Sequence, residues 1–484
     1  MSERATYDAV VVGSGPNGLA AAVELARNGK RVAVLEGKST IGGGARSAEI
    51  TLPGFVHDLG SAIHPLGYAS PFFRSLPLEE HGLEWIHPDA PLAHPFDGGE
   101  VAVLERSLEA TATRLGRDAD AYRRLVGPGS ADASKIAGFF VGKPSLIRHP
   151  LALASSGIKA LGDAESLAKS AFEGEKARGL FAGNAAHSFL PLGQPPSALF
   201  GLLLSTLGHA FGWPFPRGGS QSLADALASY LQSMGGEIFT DALVSTVDDV
   251  PRTRAVLFDV TPRQLHEIAG EHFTEDYNKA LKRYRYGPGV FKVDFALDAP
   301  IPWQAEECLR AGTVHLGGTL EEVAVGEATV ARGEHPERPF ILLAQQSLFD
   351  DTRAPEGKHT VWAYCHVPNG STFDMTERIE AQIERFAPGF RERILTKRTS
   401  GPAELEGQNA NLVGGDVAGG SMDLRQLLAR PMIRLNPYST PAEGLYICSS
   451  STPPGGSVHG LCGFLAARAA LRRLEKVRRD RTPR

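Results

Sequence analysis

The chain has 484 residues, 42% hydrophobic and 22% charged, enough for a sizeable core and more than one domain. A formal net charge of −5 gives no basic footprint for nucleic acid. The four cysteines, Cys308, Cys365, Cys448 and Cys462, have no CxxC spacing, which argues against a metal site or redox disulfide and suits a reducing, cytoplasmic setting.

The first strand is predicted at Ala9-Val10-Val11-Val12, an apolar β-branched run typical of a buried parallel strand. It enters Gly13-Ser14-Gly15-Pro16-Asn17-Gly18, a GxGxxG turn, and then a helix from Leu19 to Asn28 stopped by Gly29. Arg31 to Leu35 is a second apolar strand with Glu36 at its end. Gly13 permits the tight turn, Gly15 lets backbone approach a diphosphate, and Gly18 allows close helix–strand packing. The helix start offers N–H groups and a positive dipole end to phosphates, and Glu36 stands where an acid accepts from ribose hydroxyls. A lone GxGxxG is weak; strand, turn, helix, strand and acid in register are not.

Gly37 and Lys38 follow, and then a second glycine run, Gly42-Gly43-Gly44-Ala45-Arg46. Such a run is unneeded for a nicotinamide dinucleotide and resembles the GG motif that follows the ribose-binding acid of FAD enzymes, with Arg46 offsetting diphosphate charge. Ile50 to Gly60 predicts a hairpin, and His64 follows it. From 76 to 200 the strand–helix rhythm lapses and the pattern reads mostly helical, including Leu108 to Leu125. Phe139 to Val141 and Pro150 to Leu161 are apolar and are expected at a cavity mouth. Leu180 to Pro216 carries no Asp, Glu, Lys or Arg, but its prolines and His187 and His209 favour a buried helix from about Ser197 to Phe211 over a membrane span.

The α/β pattern returns after Arg217-Gly218-Gly219-Ser220, with an amphipathic helix Gln221 to Met234, strand pieces in Glu237 to Val247 and Arg254 to Val260, and a helix from Pro262 to Gly270. Strands are then expected at Gly289 to Leu297, Gly312 to Leu316, Phe340 to Gln346 and His359 to Val367, with a helix over Phe373 to Phe386. A last strand, Leu445 to Ser450, enters Pro453-Pro454-Gly455-Gly456-Ser457-Val458-His459-Gly460 and the helix Leu461 to Val477. This closing strand–glycine–helix unit mirrors the opening one. The expected fold is therefore α/β: a Rossmann-type FAD-binding domain, discontinuous over 1–75, 214–264 and 437–484, with an inserted α+β substrate domain over 76–213 and 265–436. The basic tail, Arg468 to Arg484, reads as a solvated helix end, with membrane-surface contact as the alternative.

The stretches VVVGSGPNGLAAAVELARNGKRVAVLE, GGGARSAEITLPGFVHDLGSAIHP, PRGGSQSLADALASYL and LYICSSSTPPGGSVHGLCGFLAA resemble phytoene-desaturase-like FAD oxidoreductases, relatives of carotenoid desaturases within the flavin amine oxidase superfamily. The resemblance implies FAD, held non-covalently. Gly13, Gly15 and Gly18 would serve its diphosphate and Glu36 its adenosine ribose, with Pro16, Gly37 and Lys38 as further cofactor-binding positions. Gly43, Gly44 and Arg46 would cover the diphosphate and ribityl region, with Ala45 a further cofactor-binding position, although Gly44-Ala45-Arg46 departs from the family's GGR. Val244 would touch adenine through its backbone, and Gly456, Val458 and His459 would flank the isoalloxazine. Gly289 to Phe295 resembles the strand on which amine oxidases carry a lysine near flavin N5. Lys292 is thus a candidate for assisting reoxidation, against snorkelling to the surface or pairing with Asp294 or Glu306. His64 and His459 rank as catalytic candidates above His187 on motif position, although a histidine in apolar surroundings is more often a core residue.

The leading expectation is hydride removal from a small apolar, terpenoid- or carotenoid-like substrate to form a double bond. An amine-oxidase-like oxidase using O2, an FAD-dependent isomerase without net redox, and a non-catalytic flavin scaffold are the alternatives. No metal and no nucleic acid is expected.

Overall fold

A computed structural model describes residues 7–131 and 159–480, with the side chains of Ala131 and 476–480 excluded. Two sheets organise the chain. The first has five parallel strands in the order Leu445–Ile447, Val256–Phe258, Ala9–Val12, Val32–Leu35, Glu237–Phe239. Its central strands are buried along their whole length, as parallel strands covered on both faces must be, hence their unbroken Val/Ala/Leu runs. Strands from the beginning, middle and end of the chain meet here, so the chain's two ends come together as the repeated strand–glycine–helix pattern predicts.

The helix Pro16–Arg27 and the closing helix Leu461–Asp480 pack against each other and against this sheet. A Cβ on Gly463 would stand 1.7 Å from the Asn17 carbonyl oxygen, so the two helices cross at backbone contact. A Cβ on Gly18 would lie 2.1 Å from the Gly13 oxygen, which is the close packing expected of the third motif glycine.

The second sheet has seven strands in the order Ile394–Ser400, Gly289–Leu297, His359–Val367, Ile341–Ala344, Ala311–Leu316, Ala90–Pro95, Val101–Leu104. Neighbours are antiparallel except Ala311–Leu316 with Ala90–Pro95. Strand alternation divides it into two faces. Phe291, Val293, Phe295, Leu343, Ala363 and Cys365 pack against Ile379, Ile383 and Phe386 of the helix Thr376–Phe386. The opposite face carries Val290, Leu342, Trp362 and Tyr364 toward the helices Glu175–Ala186 and Ser197–Ala210.

Several sequence expectations are corrected here. The region 76–200 is not only helical: Ala90–Pro95 and Val101–Leu104 are strands of the large sheet, short and carrying two prolines and a histidine that weaken the alternating signal. Leu108 to Leu125 is two helices, Leu108–Arg114 and Ala119–Ala131, separated at Gly116, whose φ is +61°. The hairpin is Ser47–Glu49 with Val56–Asp58, three residues earlier than its expected start. Ser197–Ala210 is the buried helix expected, and among the described residues no helix is long and apolar enough to cross a membrane. Phe139 to Val141 and residues 150–158 lie outside the described residues. In the basic tail, Arg468 reaches Glu24 and Arg473 pairs with Glu443; the side chains from Lys476 onward lie outside the described residues.

Candidate functional site

The two sheets enclose one long cavity of about 600 Å³, within the range of small-molecule and cofactor sites. Its first end is the strand–turn–helix of the parallel sheet. Gly13, Gly15, Pro16, Glu36, Gly37, Lys38, Gly43, Gly44, Arg46 and Val244 all line it. The helix Pro16–Arg27 begins at Gly15, which has no side chain to cap it, and carries no acid of its own in the first turn, so its positive end faces the cavity. A Cβ on Gly15 would stand 2.7 Å from Asp259 Oδ2, and one on Gly43 would stand 2.9 Å from the Gly15 Cα. The two glycine runs therefore meet backbone to backbone at Gly15 and Gly43, and neither of these two positions has room for a side chain.

Glu36 is fixed before any ligand arrives. Its Oε2 accepts from the Ser14 N–H at 2.9 Å and the Ser14 hydroxyl at 2.6 Å, and Oε1 accepts from the Lys38 N–H at 2.9 Å. Arg46 folds over the turn, donating from Nε to the Gly43 carbonyl at 3.0 Å and from Nη2 to the Gln408 carbonyl at 2.7 Å. Burial lowers its pKa, while Glu36 nearby acts in the opposite sense. Ala45 is fully buried behind the run and Gly18 packs below it, so both shape the cradle without lining the cavity. These residues fit a dinucleotide: glycines that admit backbone contact, a helix start with no cap of its own, an oriented acid and a guanidinium.

Two contributors were missed from the sequence. Asp259 follows the strand Val256–Phe258, lines the cavity, and its Oδ2 accepts from the Gly18 N–H at 2.9 Å. Burial pushes its carboxyl up to about 7, partly opposed by that hydrogen bond and assisted by Glu36. The second is the strap 405–422. Lys38 Nζ donates to the Gly407 carbonyl at 3.0 Å, and Asn411 Nδ2 donates to the Asp259 carbonyl at 2.9 Å. The available signal was the glycine-punctuated, asparagine-rich run Gln408 to Gly420.

At the other end the floor is the large sheet. Register sets Lys292 beside Tyr364, Tyr364 beside Leu342, and Leu342 beside His315, so one row crosses four strands on the cavity face. Lys292 lines the cavity at 3% exposure and its ammonium pairs with Asp294, two residues along on the same face; Glu306 is not its partner. Burial raises the Asp294 carboxyl and Lys292 opposes that shift. Gly456 and Val458 line the wall between the two ends, and a Cβ on Gly456 would lie 2.3 Å from the Ala418 oxygen.

The two catalytic histidine candidates are not on that wall. His64 is fully buried, with Nε2 2.8 Å from the Ser220 hydroxyl, and burial lowers its pKa to about 4. His459 Nδ1 accepts from the Leu461 N–H at 3.0 Å, and its carbonyl accepts from the Ser70 hydroxyl at 2.7 Å. Both residues join segments that frame the cavity, His64 through its ring and His459 through its carbonyl, so the geometry gives them a positioning task rather than contact with a reacting atom. Among the described residues no group of His, Cys, Asp and Glu is arranged for a metal ion.

Residues 11–76 match an NAD(P)-binding Rossmann-like domain. The chain is 27% identical to pyridine nucleotide-disulfide oxidoreductase domain-containing protein 2 of Rattus norvegicus, over 97% of this chain and 94% of that protein. It is 25% identical to a neurosporene-forming phytoene desaturase of Rhodobacter capsulatus, over 94% of this chain and 92% of that protein. The structure of putrescine oxidase bound to putrescine shares the fold, with a TM-score of 0.62 and 18% identity, over 98% of this chain and 99% of that one. The family resemblance read from the sequence and the Rossmann-type α/β fold class are both supported by these likenesses.

Proposed function

We propose that this member of the FAD-dependent oxidoreductase superfamily holds FAD non-covalently in the glycine cradle and removes a hydride from an apolar, terpenoid- or carotenoid-like substrate, leaving a double bond. The observation that supports it is the continuity of one cavity from the Gly13–Gly18 turn and Glu36 to an apolar floor of Val290, Leu342, Trp362 and Tyr364. FAD, when bound, supplies the hydride acceptor. The chain's own residues bind and orient. Glu36 would accept from ribose hydroxyls, Gly13 and Gly15 admit the diphosphate to the helix start, and Arg46 balances its charge. Gly456 and Val458 would border the isoalloxazine, while Phe200, Leu203, Leu204 and Trp213 keep water from the substrate end. Cys448 and Cys462 are buried outside the cavity wall, and burial pushes the Cys462 thiol up to about 11, which suits an unlinked flavin.

A second reading, an oxidase that uses O2, is favoured by one observation: Lys292 is a cation in the wall of an otherwise largely apolar chamber. The test begins with the absorption spectrum of purified protein and release of FAD by acid. Anaerobic bleaching is then followed against a panel of terpenoids and amines, with O2 uptake measured on readmission of air. Terpenoid-driven bleaching supports the first reading. Protein that is colourless and cannot be reconstituted with FAD refutes both.

A further inference from the structure

Three strands across the sheet from Lys292, on the order of 14 Å at ordinary strand spacing, the cavity wall carries polar groups that hydride removal does not use. Thr313 lines the cavity at 3% exposure, and its hydroxyl has no hydrogen-bond partner among the described residues. A buried hydroxyl without a partner, in a residue of the cavity wall, is a group waiting for one. Beside it, His187 at the end of the helix Glu175–Ala186 also lines the cavity, next to Phe189 and Trp213.

The His187 ring is set by a second ring below the wall. Its Nε2 lies 2.9 Å from His315 Nε2, so one ring donates and the other accepts. His187 Nδ1 makes no hydrogen bond to a described residue; it is a donor or an acceptor according to which ring holds the shared proton. His315 is held in turn. Trp213 and Phe340 pack on it at 5.8 and 5.3 Å between ring centroids, and a Cβ on Gly183 would stand 2.7 Å from its Nδ1. The helix comes down on the ring only because residue 183 is glycine. Burial lowers the His187 pKa to about 3 and that of His315 well below its usual value, so the pair is uncharged at neutral pH. An uncharged pair beside an uncharged hydroxyl offers nothing to compensate a buried carboxylate or ammonium.

We propose that this end of the cavity binds a neutral oxygen function, a hydroxyl or carbonyl, carried by the otherwise apolar substrate, with Thr313 Oγ1 and the His187 ring as its partners. The proposal rests on reading the cavity as the substrate site. It makes Thr313 and His187 determinants of specificity: a substrate lacking the oxygen leaves the Thr313 hydroxyl unpaired, and a charged head group is excluded.

Head-group preference is measured directly with octan-1-ol, n-octane, octanoate and octylamine as probes, by calorimetry and by the emission of Trp213 and Trp362, which line the cavity. Octan-1-ol is expected to bind at least tenfold more tightly than the other three. Thr313→Val and His187→Phe are each expected to reduce that preference at least fivefold while keeping octane affinity. Equal affinity for octanol and octane, preference for a charged probe, no detectable octanol binding, or a preference unchanged in both variants would overturn it. FAD loading is scored separately on the same preparations. Octanol selectivity in protein that never takes up FAD defeats the proposed function alone, and FAD-loaded protein without selectivity defeats the oxygen-binding proposal alone.

Discussion

Asp259→Asn isolates the effect of a buried acid at the helix start. Asp259 Oδ2 accepts from the Gly18 N–H, but burial holds its carboxyl up at about 7 against an ordinary 3.8. The groups acting on it are few: the Gly18 N–H lowers it and Glu36 raises it, while the buried thiols of Cys448 and Cys462 keep their protons at neutral pH. A folded-state pKa raised above the unfolded value means stability present at low pH and lost as pH rises through the folded value. Three pKa units correspond to about 4 kcal/mol, of which about 1.6 is already lost at pH 5 and nearly all by pH 8. Asparagine keeps an oxygen for the Gly18 N–H and does not titrate. The variant should therefore gain on wild type by about 2.5 kcal/mol between pH 5 and pH 8, read as the difference in urea unfolding free energy of the flavin-free proteins. A diphosphate at the same helix start also favours the protonated acid. FAD affinity of wild type should fall above pH 7, approaching tenfold per pH unit, while that of Asp259→Asn stays level. A wild-type-to-variant stability gap independent of pH would refute the assignment of a protonated acid at this position.

Glu36→Ala should weaken FAD binding roughly ten- to hundredfold, the effect of about 1.5–3 kcal/mol for charge-assisted hydrogen bonds, with little change in far-UV dichroism; unchanged affinity in a fluorescence titration would move the ribose contact elsewhere. Lys292→Met should leave FAD content near wild type and slow reoxidation by O2 at least tenfold, or about 1.4 kcal/mol of barrier, in stopped-flow mixing. Equal reoxidation rates would make Lys292 a structural lysine. The same variant leaves Asp294 buried without its cation, a loss of up to about 3–5 kcal/mol, so its melting temperature should drop, and Lys292→Met with Asp294→Asn should recover part of the drop. Gly463→Val should destabilise the protein by more than about 3 kcal/mol in urea unfolding, because its Cβ would stand 1.7 Å from the Asn17 oxygen and neither backbone can yield; a shift under about 1 kcal/mol would mean the helices can move apart.

The dinucleotide end was legible in the sequence because its requirements are local. Strand, turn, helix and acid follow one another within Ala9 to Glu36, and each residue type answers a short-range need: no Cβ at Gly15, a tight turn at Gly13, an acid at the next strand's end. The long strands Gly289–Leu297 and His359–Val367 were legible for the same reason, since their alternation and β-branched content are properties of the segment itself. What the sequence could not set was who meets whom. Ala90–Pro95 pairs on one side with its neighbour Val101–Leu104 and on the other, in parallel, with Ala311–Leu316, a partner more than 200 residues distant that its prolines and histidine would not suggest. Asp259 and the strap through Asn411 reach the cradle only when the sheet closes, and His64 and His459 leave the cavity wall for the same reason: burial and partner are properties of the packed molecule. The row Lys292–Tyr364–Leu342–His315 is likewise a product of strand register, which fixes side chains drawn from four separated segments on one face through backbone hydrogen bonds that no local pattern encodes.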